Sequence, residues 1–268
     1  MSTERVQRRT RILGVPLDPL TMDETVARVI EHVETGRPGC HMSVNAATLI
    51  RAIDDPAYLH WLEQADIAGA DGQSVVSAAH LLSEHGPDRV TGIDLMERLL
   101  EEARTRGWTV YLLGARPRVV ARLARRLEKR GITVAGYRDG YFADGESDGV
   151  LADVRRSGAH LLFVGIPTPR KERFLIEHAR PAGVPFSVGV GGSFDVLAGL
   201  VRRAPYWMQA NGLEWLFRLA QEPGRLWQRN LTTNTRFLLL VTRELIRVRA
   251  ASRRSSRGGG PRDPDRTT

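Results

Sequence analysis

Between about residue 40 and residue 190 the chain repeats one unit: a short apolar run, a turn of glycine or small polar residues, then a stretch of helical character. CHMSV (40–44) passes through Asn45 into a helix over 46–53. IAGA passes through Asp71-Gly72 into a helix over 73–82, and YLL passes through Gly114 into a helix that is basic on its outer face. The unit recurs at ITVAGYRDGYF (132–142), at AHLLFVGIPTPRKERFLIEHA (159–179) and at FSVGV (186–190), which ends in Gly191-Gly192. Short continuous apolar runs bounded by turns suit strands buried on both faces. Strands that alternate with helices imply parallel pairing, because each parallel connection needs a crossover. The expected fold class is therefore α/β: a mostly parallel, Rossmann-like sheet with helices on both faces.

Before this body, RILGVPLDPL (11–20) reads as a short strand and turn. TMDETVARVIEHVETG (21–36) reads as a helix, with Thr21 and Glu24 spaced as a capping box. After the body comes a helical, basic C-terminal appendage. The expected boundaries are an α/β domain over 1–200, the appendage over 201–249 and a low-complexity, disordered tail over 250–268. Leu238, Val241, Leu245 and Val248 form one helical stripe in the appendage, flanked by Arg236, Arg243, Arg247 and Arg249.

Charge follows the same division. From residue 200 onward there are 14 arginines against five acids, whereas residues 1–199 balance 25 cations against 26 acids. A neutral body with a basic end calls for an anionic partner at that end: lipid headgroups, pyrophosphate or nucleic acid. The last is disfavoured, since the segment has no DNA- or RNA-binding motif. Cys40 is the only cysteine, which excludes an internal disulfide and a CxxC metal site and fits a reducing compartment. The N-terminus lacks an apolar signal core, and FLLLV (237–241) is too short to span a bilayer. The expectation is a cytoplasmic chain without a transmembrane helix, able to lie on the inner face of the membrane.

The candidate functional residues sit where strands end. Open α/β sheets bind ligands outside the carboxyl ends of their strands. Ser43 and Asn45 occupy that position, as ligand contacts or simply as helix caps. Asp71 occupies it too, as a general base for a hydroxyl or as a helix cap. The residues alone admit both. The turns at Gly114, Gly165 and Gly191-Gly192 let a nucleotide or phosphate approach the backbone. Asp195 stands at the mouth of the last turn. Other chemistries find little support. The seven histidines are scattered, and Asp263-Pro-Asp265 lies in the tail with no strand before it, so no metal site is expected. There is no GxSxG elbow for a hydrolase and no GxGxxG for a dehydrogenase. Group transfer from a nucleotide-linked donor remains, with charge met by arginine and backbone amides.

SVNAATLIRAIDDP (43–56), ADGQSVV (70–76), RVTGIDL (89–95), LLGARP (112–117), GIPTPRKE (165–172), GVGGSFDVLAG (189–199), RRAPYW (202–207) and LEWLFRLAQEPGR (213–225) stand in the order and spacing of a known family. Over about residues 10–240 the chain resembles the bacterial glycosyltransferases grouped by their members WecG, TagA and CpsF (glycosyltransferase family 26). Among these are transferases of N-acetylmannosamine and N-acetylmannosaminuronic acid, and the resemblance implies a transferred sugar of N-acetylmannosamine or glucose type. The resemblance implies an inverting, metal-independent hexosyltransferase with no cofactor beyond its UDP-sugar donor. It implies a polyprenyl-diphosphate-linked acceptor at the cytoplasmic membrane face, in teichoic acid, common antigen, capsule or exopolysaccharide synthesis.

Carried over by position, Asp71 matches the base, and Ser43 and Asn45 the polar pair beside it, although a threonine is common at Ser43. Asp195 matches the acid that reads uracil, its two oxygens suiting the imide N–H. Arg89, Lys171 and Glu172 fall in substrate-binding motifs, and Gly114, Gly191 and Gly192 in nucleotide-binding turns. Arg218 and Arg225, with Arg229 more loosely, match appendage arginines expected at the diphosphate. Two departures stand out: Lys171 replaces a pocket glutamine, which bears on donor identity, and Gln228 stands where arginine is frequent. The altered Lys171 also keeps open a non-catalytic nucleotide-sugar or lipid-binding protein on the same fold. An apolar patch left by the appendage would favour self-association into a homo-oligomer.

Overall fold

The structure is a computed structural model that describes residues 9–83, 86–221 and 223–257. It opens with a hairpin of β1 (Thr10–Ile12) and β2 (Val15–Leu17), antiparallel and in register Ile12↔Val15. The sequence suggested a strand and a turn, but the pair is a full hairpin. Leu13 (φ 51) and Gly14 (φ 85) both adopt left-handed backbone, the two-residue link whose twist matches antiparallel strands. The helix α1 (Met22–Glu34) follows with the expected Thr21–Glu24 capping box.

The body then runs β3 (Gly39–Val44), α2 (Ala46–Asp54), α3 (Pro56–Gln64), β4 (Ile67–Ala70), α4 (Gln73–Leu82), α5 (Gly92–Arg106), β5 (Thr109–Gly114), α6 (Pro117–Lys129) and β6 (Thr133–Arg138). A 3₁₀ turn leads into α7 (Ser147–Arg156), and β7 (Leu161–Gly165) into α8 (Arg170–Phe174), which continues as a π-helical turn over Leu175–Ala179. The body closes with β8 (Phe186–Gly189) and α9 (Ser193–Leu197). Six strands form one sheet in the order β4-β3-β8-β7-β5-β6, every pair parallel.

Two apolar clusters cover the sheet. Cys40, Met42 and Val44 of β3 point to one face, where α2, α3, α4, α7 and α8 pack. Val110 and Leu112 of β5, with Phe186 and Val188 of β8, point to the other, where α1, α5, α6 and α9 pack. Helices therefore lie on both faces, as expected. The chain leaves β3 toward the first face and leaves the adjacent β8 toward the second. Such a reversal opens a crevice at the carboxyl ends of neighbouring strands. The outer edge of β4 is closed by Asp18, whose N–H donates to the Ala68 carbonyl (2.9 Å) and whose carboxylate accepts from the Ala68 N–H (2.7 Å). An otherwise open sheet edge is thereby satisfied.

The appendage consists of α10 (Tyr206–Ala210), α11 (Glu214–Gln221) and α12 (Pro223–Arg257). α12 lies along α2 and α4. Its buried stripe is Phe237 and Val241, with Leu240 and Leu245 half-buried against the same cluster. Leu238, expected in the stripe, is 61% exposed. The bidentate pair of Arg236 with Asp54 at the end of α2, 2.5 Å to each oxygen, suits the rotation that turns Phe237 inward and Leu238 outward. Helix continues through Arg257, into the stretch whose composition suggested a disordered tail from 250. Extending an existing helix costs far less than nucleating one. Residues 258–268 lie outside the described residues.

Candidate functional site

At the carboxyl end of β3, Asn45 caps α2: its Oδ1 accepts from the N–H groups of Ala47 (3.0 Å) and Thr48 (3.1 Å) and from the Thr48 hydroxyl (3.3 Å). The capping role is therefore real. The same bonds hold the residue rigidly at the strand end. Beside it, the Asp71 N–H donates to the Val44 carbonyl (3.0 Å), which places the Asp71-Gly72 turn next to Asn45. A Cβ on Gly72 would lie 3.4 Å from the Asn45 Cβ, so the two turns touch. Asp71 does not cap α4; the N-cap is Gly72, with no side-chain cap bond. Asp71 thus stands at the end of β4, one residue before the helix cap.

Ser43 points to the other face of the sheet. Its Oγ is buried without a hydrogen-bond partner, and both it (3.4 Å) and the Ser193 Oγ (4.0 Å) border the space above Gly92. This joins β3, the start of α5 and the start of α9 in one pocket wall. Ser193 was not singled out from the sequence, where it reads as an ordinary residue of a glycine-rich turn. Gly191 and Gly192 are exposed, and neither uses positive φ. Their lack of side chains therefore keeps the backbone open without any need for left-handed geometry. Asp195 on α9 is partly exposed, and its carboxylate has no hydrogen bond or ion pair among the described residues.

Gly114 has a different reason to be glycine. Its φ is 138°, and a Cβ there would lie 2.4 Å from the Gly165 carbonyl carbon. The strand ends of β5 and β7 approach too closely for any side chain, so packing rather than ligand access explains the residue. Phe194 in turn lies over Gly165 (3.2 Å from a Cβ there), linking this end of the sheet to the Asp195 turn.

Beneath the crevice is a buried polar group. Lys171 and Glu172 are both buried, with the Lys171 ammonium 3.3 Å from Glu172 Oε1. That oxygen also accepts from the Thr168 hydroxyl (3.0 Å). The Lys171 side chain lies against Gly189 at the end of β8. The other Glu172 oxygen has no partner, and the Tyr58 hydroxyl faces it and Thr48 without a well-formed hydrogen bond. Burial, with the Glu172 charge adding to it, pushes the Tyr58 hydroxyl well above the usual phenol range. His41 is fully buried, with neither ring nitrogen hydrogen-bonded. Burial, reinforced by the Lys171 charge, pushes it down to about 3. Burial pushes the Cys40 thiol up to about 12, leaving it inert.

Arg89, expected to contact substrate, is engaged by the protein. Its Nη1 donates to the Gln209 carbonyl (2.7 Å), its Nη2 to Glu214 Oε2 (3.1 Å) and its Nε to the Asp71 carbonyl (3.4 Å). Sequence reasoning missed Glu214 as a member of the site; the visible signal was an acid opening the arginine-bearing α11. The side chains of Arg218, Arg225 and Arg229 lie outside the described residues, though α11 carries the first and α12 the other two. Among the described residues, no three His, Cys, Asp or Glu side chains converge as a metal site. The structure thus brings Ser43, Asn45, Asp71, Arg89, Lys171, Glu172 and Asp195 to one end of the sheet and sets Gly114 aside as a packing residue. A family model described as the glycosyl transferase WecG/TagA/CpsF family matches residues 10–251.

Proposed function

The chain belongs to the WecG/TagA/CpsF glycosyl transferase family, and from that premise we propose that it moves a hexose from a UDP-sugar to a polyprenyl-diphosphate-linked saccharide. The family places the product in cell-surface polysaccharide synthesis. The observation that carries the reading is the meeting of Asp71 with Asn45 at the carboxyl ends of adjacent strands, while α12 folds back along α2 and α4.

Asp71 takes the proton from the acceptor hydroxyl as its oxygen attacks the anomeric carbon. The bond to UDP breaks on the opposite side, and the configuration inverts. Asn45, rigidly capped, orients the sugar, and Ser43 supplies a further hydroxyl at the wall. Asp195 accepts from the uracil imide at the open Gly191-Gly192 turn. Arg218, Arg225 and Arg229 neutralise the leaving diphosphate, so that no metal is required. Lys171 lies too deep to meet the diphosphate and bears on which sugar fits against Gly189.

The site then works at the cytoplasmic face of the membrane, where the lipid-linked acceptor resides. Among the described residues no helix is long and apolar enough to cross it. Tyr206, Trp207, Trp215 and Leu216 are all exposed on α10 and α11, the kind of aromatic surface that seats in a lipid headgroup layer.

The test is a panel of UDP-sugars incubated with the purified chain and EDTA, with and without a short-chain polyprenyl-diphosphate-N-acetylglucosamine acceptor. Acceptor-dependent UDP release from one donor is expected. UDP binding without release from any donor, across several lipid-linked acceptors, would instead indicate a non-catalytic binding protein.

A further inference from the structure

Arg89 occupies a position from which one planar group touches three separate pieces of chain. Its backbone is fixed beside β4, since the next residue, Val90, donates its N–H to the Ala70 carbonyl (2.8 Å). From there its guanidinium reaches the Asp71 carbonyl, the Gln209 carbonyl and the Glu214 carboxylate. Arginine has five N–H donors in a fixed fork, and these contacts draw on all three nitrogens. The second Glu214 oxygen faces Arg203 (3.6 Å), which is itself held by Asp94 at the start of α5 (2.6 Å). Glu214 is 9% exposed, so its charge depends on these two arginines. A second contact lies next to the first. Gly212 (φ 70) packs on Gln73, the first residue of α4, so closely that a Cβ would sit 2.7 Å from its side chain. The appendage thus meets the Asp71-Gly72-Gln73 turn twice just before α11 begins, directly at Gln73 and through Arg89 at Asp71.

We propose that Arg89 and Glu214 form a clasp through which closure of the appendage fixes the position of the Asp71 turn, making both of them positioning residues. This rests on the reading of Asp71 as the base. The chemistry needs two groups from distant parts of the chain at once: a carboxylate at the acceptor hydroxyl and cations at the donor diphosphate. Asp71 stands on the body, and Arg218 on the helix that Glu214 opens. One ion pair spanning both makes the base correctly placed only while the cations are over the donor. With the appendage open, the turn loses its guanidinium contact, and unproductive hydrolysis of the donor is restrained. A residue used for substrate binding would leave its donors toward the crevice, whereas Arg89 turns them into protein carbonyls and a buried carboxylate.

The test compares the full chain with Arg89→Ala, Glu214→Ala and the double variant. Turnover is read as UDP release from the UDP-sugar that reacts fastest in the panel, with the lipid-diphosphate acceptor. Each single change is expected to lower kcat by about 10- to 100-fold, the scale of a misplaced catalytic group, with donor KM shifted less than about threefold. The double variant is expected to be no slower than the slower single. In an Asp71→Asn background the same changes should cost nothing further, and trypsin should cut the arginine-rich appendage faster in each clasp variant. Arg89→Lys and Glu214→Gln replace the alanine variants if those fail to fold. Additive losses, a loss carried by donor KM, or unchanged trypsin cleavage would overturn the clasp. If Asp71→Asn turns over normally, the base assignment fails instead. The clasp is then judged on the Arg89–Glu214 coupling and on trypsin cleavage, and on cleavage alone if no donor reacts.

Discussion

Asn45 caps α2 at the strand end next to the Asp71-Gly72 turn. Its oxygen is committed to α2, which is what a reading of local sequence favours, and the Asp71-Gly72 turn packs against it. Capping uses the side-chain oxygen and leaves the amide N–H groups as the donors for the proposed sugar contact. Asp71 differs, because α4 begins without its help. We expect Asp71→Asn to lower turnover at least about 100-fold, the usual scale for a general base, while UDP affinity measured by calorimetry stays nearly unchanged. Normal turnover would remove Asp71 from the role. His41 makes a separate prediction about stability. Its folded pKa is about 3, against 6.5 when unfolded. The unfolded chain therefore binds the proton more readily, and stability present above pH 6.5 is lost as pH falls toward 3. The slope approaches about 1.4 kcal/mol per pH unit in that window. Urea unfolding of the wild type and His41→Leu from pH 7 to pH 4.5 should show the loss in the wild type alone. Equal slopes would mean that the ring finds a partner for its charge. None of this was visible in the sequence, where His41 is one of seven scattered histidines. Its burial is created by Gly69 on the neighbouring strand, whose missing side chain leaves room for the ring.

At the level of elements, the strand-turn-helix alternation gave the body almost directly: the expected strand over 40–44 and helix over 73–82 are β3 and α4 to within a residue. Local pattern suffices there because each element buries a face of its own. It fails where geometry depends on distant partners. Local sequence makes Gly114 a ligand turn, whereas only the pairing of β5 with β7 reveals its contact with Gly165. The resemblance makes Arg89 a substrate group, and nothing local announces its carboxylate partner 125 residues away. The stripe on α12 is legible at Val241 and Leu245, but Leu238 and Val248 face outward and Phe237 inward, a rotation accompanied by Arg236 and Asp54, which meet only in three dimensions. The rotation they accompany can be tested. Phe237→Ala should destabilise the docked helix by about 3 kcal/mol, the lower end for emptying a buried phenylalanine site. Arg236→Ala, at a solvent-screened pair, should cost far less than the loss of the ring. Hydrogen exchange over residues 232–249 reads both. A larger effect from Arg236→Ala would show that the ion pair, not the ring, holds α12 down.

For the whole molecule, charge and apolar exposure coincide at one end. The body carries 25 cations against 26 acids, whereas the chain from residue 200 carries 14 against five. On that same segment Tyr206 is 83% and Trp207 61% exposed, and Leu238, Leu239 and Ile246 face outward from α12. A water-soluble surface seldom shows this many large side chains among arginines unless a second phase receives them. An anionic bilayer would take both, the rings into the headgroup layer and the guanidinium groups against lipid phosphate. Vesicles of phosphatidylglycerol with phosphatidylcholine should therefore retain the chain on flotation, and pure phosphatidylcholine vesicles should not. Salt at about 0.5 M should release most of it, since the attraction acts between exposed charges and is screened within a few ångströms. Trp207→Ala combined with Trp215→Ala should weaken retention severalfold at low salt while leaving the salt dependence intact, because indole burial and charge attraction are separate contributions. If the double variant binds like the wild type, these aromatics are not the membrane contact. A second copy of the chain is then the remaining partner for the exposed face. Sedimentation at rising protein concentration would show it as a dimer that the same two substitutions disperse.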